Sequence, residues 1–313
     1  MRQQPVVSVC MITYNHEAYI AQAIEGVMRQ KTDFPIELVI GEDCSTDRTR
    51  EICKEFQNNY PAMVRLLPRT KNVGMIPNFV DALKNCGGKY TALCEGDDYW
   101  TDPYKLSRQV DYLQKNESYI AVCSDAKVWS EVEQREIEGV PRDTDEADIT
   151  FEDVLRSTGM LTPTVLFRNI ELPLHLMKPK YAFGDICLWL MLLDHGPARF
   201  FNRKEVVYRK HPGGATSTVP SDKFDATLKE FLIEFNEVTQ GRRAGPIEIA
   251  LKILELKKPL QDHKLSALAK CWRISGFMLR HRSTSATDLR VILGLAFGRR
   301  IDSLRSWRRR IFR

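Results

Sequence analysis

Three carboxylates crowd into four residues at Glu95-Gly96-Asp97-Asp98, directly after the apolar run Tyr90-Thr91-Ala92-Leu93-Cys94. Hard divalent cations take oxygen ligands, and Mg2+ or Mn2+ is commonly held by one or two carboxylates with its other positions left to substrate phosphates. A diphosphate bridged to protein in this way is activated as a leaving group. Taken alone, the turn fits a solvated acidic loop equally well. Two further polar turns follow apolar runs nearby, Thr13-Tyr14-Asn15-His16-Glu17 and Glu42-Asp43-Cys44-Ser45. Later in the chain, Asp185 stands at the head of the apolar run 186–193, where it also suits a helix cap. The segment Tyr208-Arg209-Lys210-His211-Pro212-Gly213-Gly214 offers cationic donors, an imidazole and two glycines that permit close backbone approach. Arg209 suits bidentate contact with a phosphate.

The elements that must hold these groups are legible from periodicity. Residues 6–12 and 37–40 are nearly continuous apolar and β-branched runs, the pattern of strands buried on both faces, and 64–67 and 90–94 add two more. Between them lie helices. Ile20, Ile24, Val27 and Met28 recur at helical spacing, and Ile52 and Phe56 face inward from a helix that Ser45 or Thr46 would cap. Residues 76–83 form a helix ended at Cys86-Gly87-Gly88 through glycine's access to positive φ, and Asp102-Pro103 opens another. Four strand–turn–helix units in succession predict a mostly parallel α/β sheet with right-handed crossovers. Ligands bind beyond the carboxyl ends of such strands, so the turns at 13–17, 42–45 and 95–98 should converge on one cleft. Further on, 120–123, 161–167 and 200–208 read as strands, 186–193 as a buried helix and 130–150 as an acidic surface loop. From about residue 221 the chain reads as helical to its end.

Four segments carry a resemblance. Val7-Ser8-Val9-Cys10-Met11-Ile12-Thr13-Tyr14-Asn15 resembles the opening strand of the family 2 glycosyltransferases. The stretch from Glu37 through Glu42-Asp43-Cys44-Ser45-Thr46-Asp47 resembles their second strand and Asp-Asp-Gly-Ser-Thr-Asp turn, Lys71-Asn72-Val73-Gly74 their Asn-x-Gly loop, and Glu95-Gly96-Asp97-Asp98 their Asp-x-Asp metal motif. Order and spacing agree throughout; Glu42 and Glu95 stand where Asp is usual, and Cys44 replaces the usual glycine. The resemblance implies a GT-A-like nucleotide-binding fold with a mostly parallel central sheet, to which the helical pattern after residue 221 adds a C-terminal extension. It implies inverting transfer of a sugar from a nucleoside diphosphate, a UDP-sugar favoured, to a hydroxyl of a glycan acceptor in bacterial surface-polysaccharide assembly; a membrane-binding basic tail would add a lipid-linked acceptor at the inner leaflet. It places Thr13, Asn15 and Glu17 in the nucleotide pocket, Asp43 on the base, Lys71 and Asn72 by the base or ribose, Glu95 near the ribose or sugar, Asp97 on Mn2+ or Mg2+, and Asp98 in support. Phe183-Gly184-Asp185 resembles the family's later acidic motif and makes Asp185 the candidate catalytic base, ahead of Asp153. The 208–214 segment resembles a loop that closes over the diphosphate, with His211 completing the metal shell or bonding a phosphate. The expected organisation is a catalytic domain at 1–220, with a nucleotide-sugar half at 6–115 and an acceptor half at 116–220, followed by a helical extension at 221–313.

Charge separates the two ends of the chain. The net charge is +5, yet residues from 270 onward hold twelve Lys and Arg against two acids, leaving 34 bases and 39 acids before them. A nucleic-acid binder would be basic on its folded body, so no nucleic-acid partner is expected. Seven arginines follow residue 298, and Leu289, Ile292, Leu295, Phe297 and Trp307 lie among or before them. An Arg-rich amphipathic helix of this kind suits an anionic membrane surface; a helix docked on the protein with a solvated charged face is the alternative. Eight cysteines are scattered without a CxxC pair and read as buried reduced thiols. The opening Met1-Arg2-Gln3-Gln4-Pro5 enters a strand pattern at once, and no apolar run approaches the ~20 residues of a membrane span. The expected location is the cytoplasm, with peripheral contact at the inner face of the plasma membrane. Two other functions compete. A sugar-1-phosphate nucleotidyltransferase would need a glycine-rich first turn, which 13–16 lacks. A carbohydrate-binding protein of the same fold with a dead site would not need Asp97 and Asp185.

Overall fold

The computed structural model describes residues 4–137, 144–156, 159–181, 183–214, 221–261, 265–281 and 285–297. The chain divides into two compact units, Met1–Phe224 and Asp225–Arg313. The first alternates β1 (Val7–Thr13), α1 (Ile20–Met28), β2 (Ile36–Glu42), α2 (Thr49–Asn59), β3 (Val64–Pro68), α3 (Met75–Lys84) and β4 (Tyr90–Leu93). It continues with β5 (Tyr99–Trp100), α4 (Lys105–Lys115), β6 (Ala121–Ser130), β7 (Arg135–Ile137), β8 (Glu146–Ile149), α5 (Phe151–Arg156), β9 (Leu166–Arg168), α6 (Gly184–Leu193) and β10 (Ala198–Lys210). One sheet holds them in the order β3-β2-β1-β4-β9-β6-β10-β5, with β7 beside β6 and β8 beside β10.

The first four strands pair in parallel, as their apolar runs require. Val7, Val9, Met11, Leu38, Ile40, Tyr90 and Ala92 are fully enclosed between the helical layers. Beyond β4 the sheet is mixed. β9 enters antiparallel between β4 and β6, and β10 runs parallel to β6 but antiparallel to β5 and β8. The mostly parallel sheet expected from the sequence therefore describes its N-terminal half. The expected strand at 161–167 begins later, because Pro163 has no N–H to give a ladder. Residues Thr162–Thr164 form a single 3-10 turn, closed by the Thr164 hydroxyl on Leu161 O at 2.7 Å. The acidic loop expected at 130–150 contains two short strands, since its acids meet bases of β10: Asp148 and Glu146 bond Arg199, and Glu136 bonds Lys204. Residues 138–143 of that loop lie outside the described residues.

Three local expectations change. α2 starts at Thr49 rather than beside Ser45 or Thr46, because Asp47 accepts from Thr49 N at 3.0 Å and Glu17 accepts from Arg48 N at 2.9 Å. α3 ends at Lys84 with Asn85 as its cap, and neither Gly87 nor Gly88 has positive φ. Gly88 is needed for closeness instead: a Cβ there would lie 2.6 Å from Ser8 N. Asp102 stands two residues ahead of the start of α4's cap, where it accepts from Tyr104 N at 2.8 Å. Inside α4, Lys105 is fully buried, its Nζ 4.3 Å from the Trp100 ring centroid and 2.9 Å from Gln109 Oε1. All eight cysteines are free; six are buried, Cys44 is half-buried and Cys271 is exposed.

The second unit is built from α7 (Ser221–Val238) from Asp225 onward, α8 (Ala244–Gln261), α9 (Ala267–Arg280) and α10 (Ala286–Phe297). Leu260, Ile274, Phe277, Ile292 and Ala296 form its core, with Leu289 and Leu295 packed against them. Apolar residues assigned from sequence to a membrane face, Leu289, Ile292 and Leu295, thus pack inside this helical unit. The arginine-rich residues 298–313, with Trp307, lie outside the described residues. Among the described residues no helix is long and apolar enough to cross a membrane.

Candidate active site

Register brings the polar turns together. Thr13 is paired with Glu42 across β1 and β2, and Cys10 with Leu93 across β1 and β4, so all three turns leave the sheet at one edge. Backbone bonds continue past the strands: Asp43 N donates to Thr13 O at 3.1 Å and Gly96 N to Ile12 O at 2.9 Å.

The turns after β1 and β2 staple each other. Asn15 sits at φ 55°, a left-handed conformation that Asn tolerates better than most residues. Its Oδ1 accepts from Thr46 N at 2.9 Å, its own N donates to Ser45 Oγ at 3.0 Å, and Glu17 N donates to Asp47 Oδ2 at 3.0 Å. Asp43 is buried and accepts from Val73 N at 2.8 Å and Gly74 N at 2.9 Å, while Asn72 Nδ2 donates to Asp43 O at 3.2 Å. Lys71 is exposed at the rim of this loop. Glu42, with no exposed surface, is bonded by Arg50 Nε and accepts from Ser45 N at 2.6 Å. Its extra methylene relative to Asp serves that reach. Cys44 takes φ 59°, the conformation for which glycine is the ordinary residue.

The turn after β4 is differently served. Asp97 Oδ2 lies 3.0 Å from His211 Nε2 and 3.8 Å from His16 Nε2. One donor atom from each of His16, Asp97 and His211 lies within 4.8 Å of the others. Burial works against the Asp97 charge, but the His211 bond and the His16 imidazole hold its carboxyl below the ordinary range. Its neighbours go the other way. Burial, then the charges of Asp97 and Asp185, push Glu95 well up; burial, then Asp97 and Glu95, push Asp98 well up against the Arg209 amide. Asp98 Oδ1 accepts from Arg209 N at 2.7 Å, whereas its buried Oδ2 has no hydrogen-bond partner among the described residues. Converging imidazoles, crowded carboxylates and an orphaned carboxylate oxygen are the chemistry of a divalent-cation site, and this donor set fits one.

Asp185 heads α6 and lies close enough to Glu95 to raise it. Burial raises Asp185 itself, opposed by the N–H groups of Ile186 and its own residue. Asp153, the second candidate base, instead accepts from Thr150 N at 2.9 Å and Thr150 Oγ1 at 2.8 Å as a local cap of α5. Arg209 departs from the open phosphate fork imagined from sequence. Its Nη1 donates to Asp97 O at 2.5 Å, Nη2 bonds Gln22, Nε lies 3.5 Å from Glu131, and the guanidinium sits 4.4 Å from the Tyr99 ring and 5.0 Å from the Tyr19 ring. It clamps the acidic turn to β10. Sequence reasoning missed His16, although it directly follows Asn15 in a turn already assigned to the cleft.

Residues 8–159 match the sequence profile of Glycosyl transferase family 2. An uncharacterized protein of Mycobacterium tuberculosis is 33% identical over 223 residues, 69% of this chain and 62% of that protein, so the chain spans less than two thirds of that relative's length. WfaP of Escherichia coli, a UDP-Glc:alpha-D-GlcNAc-diphosphoundecaprenol beta-1,3-glucosyltransferase, is 27% identical over 228 residues, 72% of this chain and 84% of WfaP. Among solved structures, residues 1–349 of S. aureus TarS in complex with UDP-GlcNAc match with a TM-score of 0.63 at 18% identity, covering 95% of this chain and 92% of that one. The shared architecture is the GT-A fold. The matched segment, residues 8–159, is thus a glycosyl transferase family 2 domain, and the fold and the converging turns agree with it.

Proposed function

We propose that the chain moves a sugar from a nucleoside diphosphate, a UDP-sugar by preference, to a hydroxyl of a glycan or lipid-linked acceptor, with inversion at the anomeric carbon. The observation that carries this reading is the meeting of Asp97 with His211, beside a Glu95 that feels the charge of Asp185. Mn2+ or Mg2+ held by Asp97 and His211 would supply charge neutralisation to the departing diphosphate. The turns at Thr13, Asn15, Glu17 and Asp43, with Lys71 and Asn72, form the nucleoside side of the cleft, within a donor half at 6–115. Residues 116–220 form the acceptor half. Asp185 takes the proton of the acceptor hydroxyl; a carboxylate raised by burial is a better base while it stays ionised near neutral pH. Glu95 stands between base and metal, on the sugar side. The name of WfaP, which includes a lipid diphosphate acceptor, supports an acceptor of that class.

The test is transfer from a panel of UDP-, GDP- and TDP-sugars with Mn2+, in the wild type and in Asp185→Asn. Asp185→Asn should retain donor binding while transfer falls by roughly 10²–10⁴-fold. The wild-type kcat/KM should fall as pH drops through the raised Asp185 range, because the base must be ionised. Full transfer by Asp185→Asn removes Asp185 from the mechanism. Donor binding without hydrolysis or transfer from any nucleotide sugar favours the sugar-binding alternative.

A second part of the proposal is contact with an anionic membrane surface through the helical unit. Leu268, Trp272 and Leu279, exposed by 83, 82 and 77%, share one side of α9 at helical spacing. The twelve bases against two acids from residue 270 onward supply the matching charge. Trp272→Ala and truncation after residue 297 should each lower co-sedimentation with phosphatidylglycerol vesicles. Unchanged co-sedimentation in both overturns this part.

A further inference from the structure

We propose that His16 is a third protein ligand of the cation at Asp97, forming a two-histidine, one-carboxylate face that favours Mn2+ over Mg2+. The proposal rests on the reading of Asp97 and His211 as metal-holding residues. Three observations carry it.

The first is convergence. Nε2 of His211 and Nε2 of His16 approach the same oxygen, Asp97 Oδ2, at 3.0 and 3.8 Å. The two rings stand at 84° with centroids 5.9 Å apart, so they do not stack, and one donor atom of each lies within 4.8 Å of the other and of Asp97. Neighbouring ligands of an octahedral ion, bound at about 2.1 Å, lie about 3 Å from one another. The His16 side chain therefore needs to close by less than an ångström relative to Asp97, within the freedom of an imidazole that is only part-buried.

The second is aim. Thr13 Oγ1 lies 3.3 Å from His16 Nδ1, which leaves Nε2 directed at Asp97, and His16 N donates to Thr49 Oγ1 at 2.8 Å. A ring held through its second nitrogen is the usual arrangement of a ligand histidine. The third is the glycine inside the acidic turn. Gly96 does not have positive φ, so backbone freedom does not explain it. A Cβ there would lie 2.6 Å from Thr13 Oγ1 and 3.1 Å from His16 Nδ1. The position reserves space for the Thr13–His16 pair.

Selectivity follows from ligand type. Mg2+ prefers oxygen and keeps its waters, whereas imidazole nitrogen is acceptable to Mn2+ and better still to later divalent metals. Each nitrogen added to the face moves the preference away from Mg2+.

The experiment is Mn2+ titration of the full chain without nucleotide, followed by EPR, with Mg2+ as competitor and pulsed EPR to read nitrogen couplings from bound imidazole. The wild type should show two imidazoles and His16→Gln one. Mn2+ affinity of His16→Gln should fall roughly tenfold or more while Mg2+ affinity barely moves, so the Mn2+/Mg2+ preference narrows. Gly96→Ala keeps His16 but displaces it, and should also lose one nitrogen signal; it serves if His16→Gln does not fold, as judged by melting in EDTA. A wild type with a single imidazole, or a His16→Gln variant with unchanged Mn2+ affinity beside weakened Asp97→Asn and His211→Gln variants, overturns the role of His16 and leaves the metal site standing. Unchanged Mn2+ binding in all three variants removes the metal site as well.

Discussion

The two acidic turns at the edge of the sheet have similar sequences and opposite electrostatics. In the turn after β2, every carboxylate is answered by the protein: Glu42 by Arg50 and Ser45 N, Asp43 by the amides of Val73 and Gly74, Asp47 by those of Glu17 and Thr49. In the turn after β4, Glu95, Asp97 and Asp98 raise or oppose one another, and the groups that meet them are imidazoles and one amide. Acidity in the first turn is structural cement. Acidity in the second is a demand for positive charge that the chain answers only in part. Carboxylate content alone does not separate these cases; the supply of N–H groups does.

Substitution should break the symmetry of the two turns in opposite directions. The largest effect is expected from Asp97→Asn, which, on the proposed function, should lower transfer assayed with Mn2+ by roughly 10²–10³-fold with a melting temperature close to wild type. A collapse in melting temperature with proportionate activity loss would make the second turn structural too. Asp43→Ala should do the reverse. It strands the Val73 and Gly74 amides and should cost about 2–3 kcal/mol, seen as a drop of several degrees in melting temperature, with a smaller change in kcat for the folded fraction.

Lys105 provides a test of the same principle away from the cleft. Burial outweighs the attraction of Glu205 and lowers its pKa from 10.5 to about 8. Because the folded pKa lies below the unfolded one, the unfolded chain binds more protons between pH 8 and 10.5, and stability from this group rises with pH across that window. Relative to Lys105→Met, the wild type should gain on the order of 2 kcal/mol from pH 8 to 10.5, measured as the difference between two denaturation series. Parallel series would mean that the ammonium is already compensated. The smallest effect belongs to Cys44→Gly. Relief of a left-handed non-glycine residue, less the entropy of an added glycine, should raise stability by about 0.5 kcal/mol. A loss of stability would mean that the Cys44 side chain contributes more packing than its backbone costs.

Much of this was legible in the sequence where local pattern decides structure. The apolar runs at 6–12, 37–40, 64–67 and 90–94 became β1 to β4, and the turns after β1, β2 and β4 met at one edge because parallel strands align their carboxyl ends. What stayed hidden depends on partners distant in sequence. β9 inserts antiparallel beside β4 through contacts some 75 residues away, and nothing in Leu166-Phe167-Arg168 encodes direction. Arg209 read as a free phosphate fork because Asp97, Gln22, Glu131 and two tyrosines come from three other segments. His16 was overlooked for the converse reason: a lone imidazole acquires meaning only when Asp97 and His211 arrive beside it. The α10 residues showed an apolar stripe, and a stripe does not say whether lipid or a neighbouring helix will cover it.

The parallel docking of β10 on β6 has a consequence for the order in which the protein matures. The segment that matches the family profile ends at residue 159. Arg209 and His211, which serve the acidic turn, are made some 50 residues later. A nascent chain that has emerged only through the matched segment therefore carries Glu95, Asp97 and Asp98 without either. Domains emerge and fold from the N-terminus, so the sheet's first strands can assemble around a centre that has His16 but still lacks Arg209 and His211. The last long strand of the sheet both completes the fold and delivers Arg209 and His211 to the acidic turn, so a chain released before it would hold the three carboxylates without them.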